Sequence, residues 1–165
     1  MLSFSEGALE EILARHPSLI EEGLTLLGRQ VSVGTLRVDL LFRDRFGDIL
    51  IVELKKGTTK REHVGQIMEY SGSLYDGKPA RLMLIGNRVP PSFQRSLEYH
   101  GIEWRELSEE KLFSFLEAND KTLLEKLGEG RPTTIPTVPP NIEDKGRPAL
   151  PMDLNKTFQA FKAIK

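Results

Sequence analysis

Apolar and polar positions alternate along two neighbouring stretches in the first third of the chain. Residues 38–42 and 49–54 are rich in Leu, Ile and Val, and the residues between them are charged or contain Gly. Two such runs on either side of a turn predict a β-hairpin. Since successive side chains of a strand point to opposite faces, Glu53 and Lys55 should share a face with Ile51, whereas the even-numbered residues should lie on the other face.

Helical periodicity predicts the elements that flank this hairpin. We expect one helix from Ser3 to Arg15, capped by Ser3, and a second over residues 60–74, capped by Thr58 or Thr59. The apolar positions of the second helix that should be buried are Val64, Ile67, Met68 and Leu74. The other predicted elements are strands at 29–33, 80–85 and 102–107 and helices at 91–100 and after Ser108. This alternation predicts an α/β fold in which helices cover both faces of a sheet.

The composition changes after Leu127. Residues 128–151 hold six prolines and few large apolar residues, which predicts an extended tail. We therefore expect one compact domain over residues 1–127 and a Pro-rich tail over 128–165 that ends in an aromatic segment.

Composition also excludes several kinds of chemistry. The chain has no cysteine, so disulfides, thiolate zinc sites and cysteine nucleophiles are ruled out. Its three histidines are scattered, and its glycines form no phosphate-cradling loop, so we expect no zinc site and no nucleotide cofactor. No apolar run is long enough for a membrane span or resembles a signal peptide, so we expect a cytoplasmic protein without membrane association.

Charge is distributed unevenly although the net charge is only −1. Between Arg29 and Arg61 there are eight basic and four acidic residues, and a local positive field of this kind suits a phosphodiester substrate. A solvated hairpin of mixed charge is the alternative. The candidate nucleic-acid-binding residues are Arg29, Arg37, Lys56 and Lys60.

A pair of acids in the hairpin is the strongest chemical signal. Asp39 and Glu53 stand fourteen residues apart, so the hairpin can place their carboxylates side by side. Adjacent carboxylates repel unless a proton or a cation lies between them, and oxygen ligands suit Mg²⁺ or Mn²⁺. Lys55 can then hold a water or a developing anion near the ion. The alternative is that both acids face water at strand ends and that Lys55 and Lys56 form an ordinary edge.

Three more residues are candidates for the same site. Glu6 lies on or beside the apolar stripe of the first helix, where it either caps the helix or projects toward the acidic pair. Gln66 and Tyr70 are four residues apart and should share a helix face. They form either a polar–aromatic surface pair or a pair that reaches over the metal site.

Taken in order, these motifs resemble a known family. Glu6, Asp39, Glu53-Leu54-Lys55 and Gln66-Ile67-Met68-Glu69-Tyr70 resemble the RecB-like branch of the PD-(D/E)xK nucleases. With Ser5-Glu6, residues 16–24 (HPSLIEEGL), Val38-Asp39-Leu40 and Val52-Glu53-Leu54-Lys55, the chain looks like the C-terminal catalytic domain of the NucS (EndoMS) endonucleases. The likeness covers residues 3 to about 107.

The resemblance implies a restriction-endonuclease-like fold, a mixed central sheet flanked by helices. It implies Mg²⁺ or Mn²⁺ held by Asp39, Glu53 and the carbonyl of Leu54, with Lys55 as the catalytic lysine. Gln66 and Tyr70 carry over as supporting active-site residues. Glu6 carries over as the helix acid, in preference to Glu10, because the Ser5-Glu6 pair fits the family pattern.

The implied function is metal-dependent endonucleolytic cleavage of single-stranded, branched or mismatched DNA during repair. A Holliday-junction-type resolvase and a non-catalytic DNA-binding module on the same fold are the alternatives. The family's N-terminal domain for dimerisation and DNA binding has no counterpart here, so we expect either a stand-alone relative or a partner that supplies targeting, and a homodimer stays open. Residues 155–162 are a degenerate likeness of a sliding-clamp-binding peptide, with a mobile tail as the favoured alternative.

Overall fold

A five-stranded mixed β-sheet forms the centre of the part of the chain that the computed structural model describes, residues 3–33, 36–72, 74–75 and 77–129. The helices are α1 (Glu6–Arg15), α2 (Arg61–Met68), α3 (Pro91–Tyr99), α4 (Glu109–Asn119) and α5 (Lys121–Glu129). The strands are β1 (Thr25–Val33), β2 (Leu36–Arg43), β3 (Ile49–Thr58), β4 (Leu74–Tyr75), β5 (Lys78–Pro79), β6 (Arg81–Arg88) and β7 (Glu103–Glu106). A 3₁₀ turn lies at Pro17–Leu19.

The strand order in the main sheet is β1-β2-β3-β6-β7. β1 pairs with β2, and β2 with β3, in antiparallel fashion, whereas β6 lies parallel to β3 and to β7. The hairpin predicted from the alternating pattern is the β2–β3 pair. The α2 and α3 segments are the crossovers that parallel strands require, so the predicted α/β class with a mixed sheet is confirmed.

Helices pack on both faces of the sheet. The core beneath α1, α4 and α5 contains Leu50, Val52 and Leu54 of β3, and the core beneath α2 and α3 contains Ile49 and Ile51. The predicted division of β3 into two faces is therefore confirmed. Within the described ranges, none of the helices is both long and apolar enough to cross a membrane.

The first helix is fixed by its apolar stripe and its cap. Leu9, Ile12 and Leu13 are buried, and each contributes on the order of 2 kcal/mol relative to exposure. The N-cap is Ser5, whose hydroxyl accepts a hydrogen bond of 3.0 Å from the Ala8 amide. The prediction of Ser3 as the cap was wrong by two residues, because the capping-box spacing to Glu6 favours Ser3, whereas the helix begins only at Glu6, directly after Ser5.

The second helix is shorter than predicted. It begins after Lys60, whose backbone N–H donates to His63 Nδ1 at 3.2 Å, and it ends at Met68. Thr59 does not cap it, because its hydroxyl donates to the Arg88 carbonyl and ties β3 to β6. Val64 and Ile67 are buried as predicted, whereas Met68 is exposed because the chain turns there.

The far end of the hairpin is closed by an ionic cluster. Asp44 Oδ1 accepts backbone hydrogen bonds of 2.9 Å from Phe46 and Asp48, which forms the turn, and its Oδ2 lies 2.7 Å from Arg81 Nη1. Arg81 also binds Glu21 and Glu103. This cluster connects the end of β2 to β6 and β7, at the end of the sheet opposite Asp39 and Glu53.

The boundary near residue 127 falls inside a helix, since Gly128 and Glu129 continue α5. The remainder of the predicted tail, including residues 155–162, lies outside the described residues.

Candidate active site

The two strands of the hairpin separate at the acidic pair. Among the described residues, β2–β3 backbone pairing runs from Arg43–Ile49 to Leu40–Val52 and stops there. Asp39 stands at the next position, and its Oδ2 accepts a hydrogen bond of 2.8 Å from the Leu54 amide. A carboxylate thus takes the place of a backbone acceptor, which keeps the strands apart.

Leu54 presents its carbonyl to the same gap. In a β-strand, the N–H and C=O of one residue point toward the same neighbouring strand, as paired residues that exchange both bonds show. The Leu54 N–H points to Asp39 of β2, so its carbonyl oxygen also points toward β2, beyond the last ladder pair. The oxygen is therefore placed to serve as a ligand.

Glu53 is the most buried of the acids at this site, with 1% of its surface exposed. Its Oε1 accepts a hydrogen bond of 2.7 Å from Lys55 Nζ, because residues two apart on a strand share a face. On its other side, the Tyr70 hydroxyl lies 3.5 Å from Oε2 and donates a shorter bond of 2.6 Å to the Arg37 carbonyl.

Burial makes the two acids reluctant to ionise. It raises the pKa of Asp39 above its ordinary value, although hydrogen bonds from Leu54 and Gln30 oppose the change. Burial likewise raises the pKa of Glu53, and the charge of Asp39 adds to the effect while Lys55 opposes it. An acidic pair under this strain gains free energy from a cation placed between its members.

The neighbouring lysine and tyrosine respond to the same field. Burial opposes the charge on Lys55, but its hydrogen bond to Glu53 and the nearby acids outweigh burial and raise the pKa of Lys55. Burial raises the pKa of Tyr70 as well, reinforced by the charges of Glu53 and Asp39. Lys55 is therefore an ammonium group and Tyr70 a neutral hydroxyl at neutral pH.

The structure distributes the other predicted site residues unequally. Glu6 is exposed at the rim, where its Oε2 accepts a hydrogen bond of 3.3 Å from the Lys56 amide, and its charge contributes to the raised pKa of both buried acids. Gln66 lies exposed on α2. Tyr70 lies two residues beyond the helix end and is buried, so the predicted shared helix face of Gln66 and Tyr70 is wrong.

The four candidate nucleic-acid-binding residues also differ. Arg37, Lys56 and Lys60 are exposed. Arg29 instead binds Glu10 through Nε at 2.8 Å and Glu11 through Nη1 at 2.5 Å. Those two carboxylates satisfy much of its charge, so Arg29 serves first as a structural ion pair.

Sequence reasoning missed Gln30 and set Glu10 aside. Gln30 Nε2 donates hydrogen bonds to Asp39 Oδ1 at 3.1 Å and to Glu10 Oε2 at 2.5 Å. The β1–β2 register pairs Arg29 with Leu40 and Val31 with Val38, so Gln30 falls opposite Asp39. A prediction of that register was the one signal able to reveal the contact.

The donor set fits Mg²⁺ or Mn²⁺. Among the described residues there is no group of three or more acidic, histidine or cysteine side chains placed to hold a metal ion. Two carboxylates and a backbone carbonyl still suit a hard cation that keeps several waters. Asp39, Glu53 and Leu54 would hold it, and the repulsion between the two buried acids, which contributes to the raised pKa of Glu53, would favour it.

A mixed sheet of this order, with two carboxylates and a lysine where two strands separate, defines the restriction-endonuclease-like class that includes the PD-(D/E)xK nucleases. The family model described as the Endonuclease NucS C-terminal domain matches residues 5–123. The chain belongs to this family.

Individual relatives agree with the family match. Endonuclease NucS from Thermococcus kodakarensis is 33% identical over 124 residues, which are 74% of this chain and 49% of that protein. Among solved structures, a complex of EndoMS with double-stranded DNA superposes with a TM-score of 0.59 at 32% identity, over 66% of this chain and 46% of that one. A repair endonuclease from Pyrococcus abyssi gives a TM-score of 0.59 at 27% identity, over 66% and 49% of the two chains. The chain thus spans about half the length of the relatives it matches.

Proposed function

We propose that this protein is a divalent-cation-dependent DNA endonuclease that hydrolyses phosphodiester bonds in single-stranded, branched or mismatched DNA during repair. The observation that carries the proposal is the juxtaposition of Asp39, Glu53 and Lys55 where β2 and β3 separate. The names of its relatives support the reaction class, since they are endonucleases and one was solved with double-stranded DNA.

The chemistry follows from the groups at the site. A bound Mg²⁺ or Mn²⁺ supplies Lewis acidity toward a phosphate oxygen and lowers the pKa of water. Asp39, Glu53 and the carbonyl of Leu54 would hold this cation. The Lys55 ammonium orients the attacking water, or neutralises negative charge as the phosphate becomes pentacovalent.

We assign substrate binding to the rim of the site, which consists of the exposed residues Glu6, Arg37, Lys56 and Lys60. Glu6 accepts a hydrogen bond from the backbone N–H of Lys56. The three cations provide positive charge for phosphates. We assign Gln66 to contact with the DNA strand that is cut, because its side chain is exposed on α2, the helix that precedes Tyr70. The basic rim offsets the acidic pair and makes DNA binding dependent on salt concentration.

The test is a cleavage assay on labelled single-stranded, duplex, mismatched, flapped and four-way-junction DNA, in Mg²⁺, Mn²⁺ or EDTA. Asp39→Ala and Glu53→Ala should each lower the cation-dependent rate by more than about 100-fold, because residues that only orient metal ligands already cost about 10- to 100-fold. Asp48→Ala is the matched control, since this acid of the same hairpin is partly exposed and binds Lys78 at the surface.

Each outcome discriminates between readings. Cleavage retained by a highly purified Asp39→Ala/Glu53→Ala double variant would rule out the site. DNA binding without cleavage in either cation would favour a non-catalytic module, and a strong preference for four-way junctions would favour a resolvase.

Binding of a second copy of the chain and binding of a sliding clamp are two further predictions. Self-association of the full chain is tested by light scattering across a concentration series. Binding of a sliding clamp through residues 155–162, which lie outside the described residues, is tested by titrating a peptide of that segment.

A further inference from the structure

Gln30 has an unusual backbone at a position facing the proposed site. Its φ is +50°, and it is the only residue other than glycine with a positive φ in the part of the chain described. A left-handed conformation costs a residue with a Cβ about 1–2 kcal/mol, and such strain persists where the surroundings impose it. The register places Gln30 across from Asp39.

The side chain of Gln30 bridges two carboxylates. Its Nε2 donates to Asp39 Oδ1 at 3.1 Å and to Glu10 Oε2 at 2.5 Å. Both partners only accept when ionised, so the nitrogen of the amide, not its oxygen, must face them. Both amide hydrogens are thereby used, which fixes the orientation of the group.

Glu10 is itself held in place. It is 9% exposed, and Arg29 Nε donates to its Oε1 at 2.8 Å while Gln30 takes its Oε2. The Leu54 amide then fixes the other oxygen of Asp39 at 2.8 Å. A continuous chain of hydrogen bonds therefore runs from α1 through β1 and β2 to β3.

We propose that Gln30, supported by Glu10, is a positioning residue that sets the Asp39 carboxylate for the divalent cation. This inference rests on the proposed function. A neutral amide suits the task because it orients Asp39 without neutralising it, whereas a lysine or arginine there would compete with the cation. Each oxygen of a carboxylate has two acceptor sites, so Asp39 keeps lone pairs for a metal after both hydrogen bonds.

The experiment measures Mn²⁺ binding to the full chain by calorimetry, with thermal unfolding of the same samples in EDTA. Gln30→Ala removes the amide and keeps a Cβ at positive φ, whereas Gln30→Gly removes the amide and relieves the backbone. We expect both to bind Mn²⁺ about 10-fold more weakly, as for other residues that orient metal ligands, although the glycine variant should be the more stable. An equal loss of Mn²⁺ affinity in two variants of different stability would show that the loss comes from the missing amide and not from a less stable fold.

Controls and a second readout complete the design. Gln94→Ala removes an amide that donates to the Val89 carbonyl on the α3 side of the sheet, and its Mn²⁺ affinity should equal that of the wild type. In cleavage assays, the Gln30 variants should need about 10-fold more Mn²⁺ for half-maximal rate and should recover the wild-type rate at saturation.

The failures are distinguishable. If the wild type binds Mn²⁺ and both Gln30 variants bind it equally well, the positioning role is wrong and the proposed function stands. If affinity falls only in the less stable variant, the effect is on folding and the role is again wrong. If the wild type binds no divalent cation, the proposed function and this inference fail together.

Discussion

The Tyr70 hydroxyl donates a hydrogen bond of 2.6 Å to the Arg37 carbonyl, at the point where β2 has left β3. The Tyr70 hydroxyl oxygen also lies 3.5 Å from Glu53 Oε2. Tyr70 follows α2 in the chain, so a side chain from beyond the helix end holds the position of β2 relative to the buried acid.

Tyr70→Phe should separate this bond from the packing of the ring. The ring is buried and stays so, and we expect a loss of about 1 kcal/mol in the free energy of unfolding for the missing hydrogen bond. The cleavage rate should fall roughly 10-fold, because Glu53 and β2 lose a common contact. Tyr99→Phe is the control, since Tyr99 is 86% exposed; equal effects of the two changes would contradict the assignment.

Glu53→Gln should abolish cleavage and yet stabilise the protein in EDTA at neutral pH. The native pKa of Glu53 is raised, chiefly by burial, so stability is lost as pH rises above the ordinary value of 4.5 through the higher native pKa. The amide keeps an acceptor for Lys55 without the charge. Thermal unfolding from pH 3 to 8 should show wild type and variant alike in acid and the variant ahead at neutral pH; a variant that is less stable at neutral pH would refute this.

Asp44→Asn, at the other end of the hairpin, should destabilise the protein at neutral pH. Burial opposes the charge of Asp44, but hydrogen bonds from Arg81 and from the backbone of Asp48 and Phe46 outweigh it and lower its pKa. The ionised carboxylate thus stabilises the fold above the ordinary value of 3.8, and this contribution is lost as pH falls through the lower native pKa. We expect a cost of about 3 kcal/mol at pH 7.

Urea unfolding checks the Asp44 change, with Asp48→Asn as the control at a partly exposed acid of the same turn. The cost should shrink as pH falls below the ordinary value of 3.8 and through the lower native pKa of Asp44. A constant cost across the pH range would show that the charge of Asp44 is not its cause.

Divalent cations should stabilise the wild type. Binding to the native state alone contributes about 2.7 kcal/mol at a concentration 100 times the dissociation constant. The melting temperature should therefore rise with Mg²⁺ or Mn²⁺, and Asp39→Ala and Glu53→Ala should not respond. A rise in the melting temperature of all three proteins would indicate a cation site elsewhere.

Local patterns predicted those parts of the site that lie in one strand. Glu53 and Lys55 share a face because side chains alternate along a strand, and the structure brings their charged atoms to 2.7 Å. Asp39, in the neighbouring strand, was predicted to lie beside Glu53 because a hairpin of ordinary length aligns the two positions, and the β2–β3 register agrees with that alignment. Met68 and Tyr70 were misjudged, because helical periodicity gives no sign of where the turn after α2 begins.

The sequence by itself determined the class of fold, the hairpin and its acid–acid–lysine set, since hydrophobic periodicity and short-range spacing express the backbone geometry of single elements. Tertiary structure alone decided that Gln30 bridges Asp39 and Glu10, that Arg29 is occupied by acids of α1, and that Tyr70 turns inward to Arg37. Those contacts depend on strand register and on how a helix packs across a sheet, and a register shift of one residue reverses every side chain. The spacing of residues within one segment reveals neither the strand register nor the helix packing.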